Sequence, residues 1–215
     1  MECGRVQIKW NNTLRFSDKM TNRNDINIGD CFIRPPMGGR SRSIWRVASI
    51  EGNECRADLY DFGEQGIYCY RSEPFSLRRV STLIPVPKEH FERVEKYYDN
   101  ALASARNILA SAQKWKSEDV KFGTCLYSEE TGYQGVMKLI AQSGDNGMLA
   151  EYIHVSTKSF SRETIRPGII SLSQYEDDES KMAIETEVYD KLLKIMNLYF
   201  TTIQTLVNHA LTEAQ

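Results

Sequence analysis

Residues 181–212 carry apolar side chains at every third or fourth position: Ile184, Val188, Leu192, Ile195, Tyr199, Ile203, Val207 and Ala210. That spacing is the period of one helix face, and at ~1.5 Å per residue it amounts to roughly 45 Å of helix. A second stripe, Tyr189, Leu193, Met196, Phe200, Leu206 and Leu211, runs beside the first. Burying one Leu or Phe is worth about 1.5–3 kcal/mol. Leaving five or six of them in water would cost more than the 5–15 kcal/mol, roughly, by which a domain is stable. The helix therefore demands a cover wider than one small β unit. Two covers are available: another long helix of the same chain, or the same helix of a second copy in a homodimer.

The chain does hold another such helix. In residues 88–115, Phe91, Val94, Tyr98, Leu102, Ala105, Leu109 and Ala112 keep the same period, behind Pro85 and Pro87, which break the preceding strand. The segment upstream of each helix reads as β structure. IGDCFI (28–33) and FGTCLY (122–127) each open a strand after a Gly turn, and apolar segments flanking Gly/Asn turns follow at 45–60 and 135–153, which is hairpin chemistry. A Phe-Ser pair comes next in both places, Phe75-Ser76 and Phe160-Ser161. The expected fold is therefore α+β, with two pseudo-repeats, each a small antiparallel β-sheet or SH3-like barrel followed by a long amphipathic helix. Its expected divisions are an N-terminal arm (1–24), a first repeat (25–116) and a second repeat (117–215).

Charge excludes some partners. Twenty-seven Lys and Arg against 29 Asp and Glu leave a net charge of -2, so no bulk field draws the chain to nucleic acid or to an anionic membrane. No apolar run approaches the roughly 20 residues that span a bilayer, and MECGRVQIKW lacks the apolar stretch of a signal peptide. The expected location is cytoplasmic or otherwise intracellular, without membrane contact. Five Cys, at 3, 31, 55, 69 and 125, form no CxxC pair and read as reduced core thiols.

Two segments offer binding chemistry. The loop 34–46 places Arg34, Arg40, Arg42 and Arg46 around a Pro-Pro turn and a Gly-Gly pair, and Arg71, Arg78 and Arg79 follow downstream. Guanidinium forks on a flexible backbone are suited to phosphate or carboxylate. The loop reads either as a hairpin kept soluble by Arg or as an anion or nucleic-acid contact. The second segment is aromatic: Trp45, Tyr60, Phe62, Tyr68 and Tyr70. Converging from neighbouring strands, these rings make either a hydrophobic core or an open cage that attracts a cation by about 0.5–2 kcal/mol.

The run Trp45, Ala48, Ile50, then Ala57-x-Leu59-x-Asp61-Phe62-Gly63-Glu64, then Leu77-Arg78 resembles the Tudor group of small SH3-like barrels over residues 45–79. The resemblance implies a barrel with Trp45, Tyr60 and Phe62 near the surface that such domains use for methylated Lys or Arg. Catalytic signals are lacking. His90, His154 and His209 fall in no metal-binding or hydrolase motif, and no GxSxG or GxGxxG occurs. The sequence thus leads to a non-catalytic binding or adaptor protein that engages a protein partner through its β units and needs no metal or cofactor. Nucleic-acid binding through the Arg set is the alternative, and an enzyme of unrecognised type comes third.

Overall fold

The structure is a computed structural model describing residues 26–34, 42–52, 54–63, 65–76, 83–116, 121–143, 147–165 and 182–214. The first half of the chain forms β1 (Cys31–Arg34), β2 (Arg42–Glu51), β3 (Glu54–Gly63), β4 (Gly66–Ser76), β5 (Ile84–Val86) and α1 (Lys88–Ser111). The second half forms β6 (Lys114–Trp115), β7 (Cys125–Glu130), β8 (Tyr133–Ser143), β9 (Gly147–Ser156), β10 (Ser159–Ile165), β11 (Met182–Ile184) and α2 (Thr186–Glu213).

These strands make one sheet. Its order among the described residues is β5-β1-β2-β3-β4-β10-β9-β8-β7-β11-β6, eleven strands with every neighbour antiparallel. This corrects the expected fold of two pseudo-repeats, each a separate small sheet or SH3-like barrel with a helix of its own. The local likeness of IGDCFI and FGTCLY is kept in the two turns, where the Cys31 and Cys125 thiols both reach the carbonyl of the turn glycine, but it does not make two separate sheets. Gly29 N–H donates to the Val47 carbonyl (2.9 Å) as Gly123 N–H does to that of Leu139 (2.9 Å), yet neither half closes on itself.

The physical reason lies at β4 and β10. An open antiparallel sheet ends on a row of unpaired N–H and C=O groups, and joining two such edges satisfies both. Gly66, Ile67 and Tyr68 pair with Ser161, Phe160 and Ser159. The seam is extended by Cys69 N–H to the Lys158 carbonyl and Arg162 N–H to that of Gln65, both 2.7 Å. Gly66 permits the approach, because a Cβ there would stand 2.5 Å from the Phe160 carbonyl oxygen and from Ser161 Cα.

Strand alternation sorts the apolar groups between two faces. Cys31, Ile33, Tyr60, Ile67, Val136, Ile153 and Phe160 point to the helices and share one core with residues of α1 and α2. The other face carries two smaller clusters. Phe32, Trp45, Val47, Leu59 and Phe75 form one, and Leu126, Met137, Leu139 and Tyr152 form the other.

The helices lie antiparallel. Tyr97 on α1 meets Tyr199 on α2 with ring centroids 6.4 Å apart, while the buried His90 near the start of α1 contacts Glu213 at the end of α2 (2.9 Å). Both stripes of the C-terminal helix are used in the same core: Val188, Leu192, Ile203 and Val207 are buried, as are Tyr189 and Met196, with Leu193, Phe200, Leu206 and Leu211 packed alongside. No described helix is long and apolar enough to cross a membrane.

Gly66→Ala is expected to destabilise the protein by about 1–3 kcal/mol, the cost of forcing extra volume into a packed site. Urea denaturation of the two proteins measures it, and a loss below a few tenths of a kcal/mol would mean that the seam tolerates a side chain.

Candidate binding cleft at the sheet seam

The seam is short, and what happens beyond it creates the site. After Tyr68 the two strands part: β4 runs on to Ser76 paired with β3 alone, while the chain turns through Thr157 and Lys158 between β9 and β10. α1 passes beneath the gap. The result is a cleft of 720 Å³ walled by Cys69, Tyr70, Arg71 and Glu73 of β4, by Tyr98, Asp99, Leu102, Ala103 and Arg106 of α1, and by Thr157 and Lys158 of the turn. That volume lies in the range of pockets that bury a ligand.

Beyond the seam β4 is irregular. Ser72 takes φ 55°, an uncommon backbone state for a residue with a side chain, and the pairing with β3 slips between Ala57 and Leu59. Pro74 lies two residues further on. A bulge and a proline are the devices that keep an open strand edge from recruiting further strands. Recognition at the cleft therefore falls to side chains rather than to strand addition.

One wall is locked by an ionic lattice that ties α1 to the sheet. Arg46 donates to Asp58 (2.9 Å) and to Glu95 of α1 (3.1 Å), and its guanidinium lies over the Phe91 ring at 4.4 Å. Arg71 donates to Glu95 (2.9 Å) and to the Tyr60 hydroxyl (2.8 Å), with Asp58 3.4 Å away. Burial alone would raise the Asp58 pKa. The hydrogen bonds from Arg46 and the Ser72 N–H, with the charge of Arg71, outweigh it and hold the carboxyl below its ordinary value.

The remaining charges of the cleft have no such partners. Arg106, Lys158, Asp99 and Glu73 make no side-chain hydrogen bond or ion pair among the described residues. At the cleft wall the Tyr98 hydroxyl, also without a hydrogen-bond partner, belongs to a residue only 1% exposed, and its ring lies 5.1 Å from that of Tyr60. Burial pushes the Cys69 thiol up, which keeps it protonated and a poor nucleophile.

The aromatic residues singled out from the sequence divide between the two faces. Tyr60 and Phe62 are buried in the core that the sheet shares with the helices, with Tyr60 tilted against Phe91 of α1 at 5.4 Å. Trp45 is 8% exposed on the opposite face, edge-on to Phe75 at 5.4 Å, with its indole N–H donated to Ser43. Tyr68 and Tyr70 alternate away from the helices, and Tyr70, 40% exposed, reaches the rim of the cleft. Trp45, Tyr60 and Phe62 thus do not converge on one open surface. Beside Tyr68 in register, Asp61 keeps one buried carboxylate oxygen without a hydrogen-bond partner.

The arginines are similarly dispersed. Arg34 lies over Trp45 at 5.2 Å, Arg42 donates to Asn208 of α2, and Arg46 belongs to the lattice above. Arg40, Arg78 and Arg79 lie outside the described residues. Sequence reading found Tyr70 and Arg71 of the cleft but missed Tyr98, Asp99, Arg106 and Lys158. Asp99 and Arg106, two turns apart on one side of a helix, were the available signal.

Cys31, Cys55, Cys69 and Cys125 are buried free thiols, and the described His, Cys, Asp and Glu residues gather nowhere in a group able to hold a metal ion. Comparison with known proteins returned no match to a family model, to a curated protein or to a solved structure.

Two outcomes follow from this electrostatic arrangement. A carboxylate whose folded-state pKa is depressed stabilises the protein above its unfolded value, roughly 4, and that stability is lost as pH falls through the folded value. Stability should therefore decline on acidification below about pH 4, and Asp58→Asn should flatten that decline while lowering stability at neutral pH, as measured by urea titration at each pH. Tyr98→Phe removes a hydroxyl without a hydrogen-bond partner among the described residues and should leave stability unchanged or raised, whereas Tyr60→Phe breaks the bond to Arg71 and should cost about 1–3 kcal/mol. Equal losses in both variants would show that the Tyr98 hydroxyl has a partner.

Proposed function

We propose that this chain is a non-catalytic binding protein that engages a protein partner, and that the seam cleft is its contact site. The observation that carries the reading is the set of four charged side chains, Arg106, Lys158, Asp99 and Glu73, lining an open cleft without partners among the described residues. On the same helix Glu95, by contrast, receives its counter-charge from the sheet, from Arg46 and Arg71. Charges of both signs left unmatched around a concavity suit a polar macromolecular surface that brings complementary groups.

Binding rather than catalysis is favoured by the chemistry of the walls. Cys69 is held as a thiol, and the histidines face carboxylates elsewhere, His90 and His209 with Glu213 and His154 with Glu163. A half-exposed tyrosine at the rim is the kind of side chain that anchors protein contacts, since it offers a broad apolar ring and one polar tip.

Site-directed photo-crosslinking tests the proposal. A benzophenone side chain in place of Tyr70 should capture a discrete protein, and the combined change Arg106→Glu with Lys158→Glu should remove that adduct. The same probe in place of Leu198, 63% exposed on α2, should not capture it. Equal capture from both positions, or none from position 70, would overturn the proposal.

A further inference from the structure

The face of the sheet turned away from the helices holds an acid that the described fold leaves without a counter-charge. Asp61 of β3 stands opposite Tyr68 of β4, and the next outward residue of β4, Tyr70, lies diagonal to it, because the register partner of Tyr70 is Leu59. Opposed side chains on one face have Cβ atoms about 4.5–5.5 Å apart and diagonal ones about 7–8 Å, so both phenol rings are within reach of the carboxylate. The Tyr70 hydroxyl feels that nearness: burial, and after it the charge of Asp61, raises its pKa.

Asp61 makes no hydrogen bond or ion pair among the described residues. Its Oδ1 is closed off while the residue as a whole is half-buried, so Oδ2 is the open oxygen. A carboxylate drawn partly out of water without a partner is unfavourable, and a cation brought from outside relieves it. Access is from the solvent side, where Tyr70 is 40% exposed and β10 no longer pairs with β4. Glu73, the next outward residue along β4, adds a second negative charge beyond Tyr70. The neighbouring cations do not neutralise this face. Arg71 turns inward to Glu95, Arg56 donates to the Ser72 carbonyl (3.1 Å), and Lys158 and Arg106 pair with neither acid.

The helix side of the same strands shows how this chain fills such an arrangement. Arg71 bonds Glu95 while its guanidinium lies over the Tyr60 ring at 5.3 Å, and Arg46 bonds Asp58 while lying over Phe91 at 4.4 Å. In both, an arginine bonds an acid and rests on a ring. The outward face has the acid and the rings without the arginine.

On this basis we infer that Asp61, Tyr68 and Tyr70 form a subsite that takes an arginine side chain of the partner protein. One guanidinium N–H is donated to Asp61 Oδ2, the plane of the group rests on the exposed Tyr70 ring, and Glu73 adds attraction from further off. A guanidinium suits this place better than an ammonium, because it is planar and more weakly hydrated and so gives up less on leaving water to lie on a ring. The inference rests on the reading of the seam as a protein contact and adds to it the side chain that the partner brings to position 70.

The test uses the full chain with isotope-labelled tyrosine and a defined probe, N-acetyl-arginine amide. An NMR titration should give saturable shifts of the Tyr70 and Tyr68 ring signals and leave that of the buried Tyr98 in place. The neutral isostere N-acetyl-citrulline amide, and N-acetyl-lysine amide, should bind more weakly. Asp61→Asn should weaken binding of the arginine probe about tenfold, the effect of losing a hydrogen bond between charged groups. Tyr70→Phe, which keeps the ring, should bind as the parent does, and Tyr70→Ala should not. Thermal melts establish that each variant is folded, and the comparison of arginine with citrulline on the unchanged protein needs no variant. Citrulline or lysine probes that bind as tightly as arginine, or undiminished binding by folded Asp61→Asn, would overturn the inference. So would shifts at Tyr98 in place of Tyr70, which would put the cation inside the cleft beside Asp99. Absence of binding by every probe would overturn it as well, and the crosslinking result at position 70 would then decide separately whether a protein docks at the cleft.

Discussion

The backbone pairing of β4 with β10 is the constraint on which the remaining structure depends. Three residue pairs, Gly66–Ser161, Ile67–Phe160 and Tyr68–Ser159, turn two runs of hairpins into a single surface. Only a continuous sheet provides one face broad enough for both helices to lie side by side, and only with the helices side by side is the double apolar stripe of α2 covered. The same pairing is short, and its brevity leaves the gap in which the cleft forms.

Around this frame, polar groups fasten helix to sheet in each half. In the first, Arg46 and Arg71 bridge Asp58 of β3 to Glu95 of α1. In the second, the Tyr189 hydroxyl of α2 donates to Glu151 of β9 (2.7 Å), which is also paired with Arg162 of β10, and Lys138 of β8 reaches Asp190 of α2 (3.1 Å). Each bonded group lies at a margin where the apolar core gives way to solvent, so its charge keeps part of its hydration. The bonds then add orientation to a cohesion that the buried apolar groups already supply.

Much of the local structure was legible in the sequence, because helical and strand periods are written in consecutive residues. The start of α1 behind Pro87 and the hairpins that pair β2 with β3 and β8 with β9 follow from such local rules. The seam was not legible. Which edge meets which depends on two segments far apart in sequence, and Gly66 looks like any other hairpin glycine until the carbonyl of Phe160 is placed against it. The aromatic set shows the same limit. Period two correctly groups Tyr60 with Phe62, but the face they share with Trp45, or do not, is decided by the register Trp45–Leu59, which sets Trp45 opposite an outward-facing residue. Arg46 and Arg71, read from sequence as available cations, are occupied by acids contributed from other elements. Tyr98 belongs to the apolar stripe by its spacing, and nothing in that spacing discloses that its hydroxyl ends without a partner.

Because the central pairing joins a strand of the first half of the chain to one of the second, it forms only after most of the protein has been synthesised. Until then β4 waits with a bare edge, and loop-closure entropy makes so remote a contact slow to find. The kink at Ser72 and the ring of Pro74 limit what that waiting edge can recruit, and the stretch that is joined, Gly66 to Cys69, lies before them. The irregularity that shapes the mouth of the finished cleft would thus act earlier as a safeguard, guiding a nascent chain toward its own late strand and away from its neighbours.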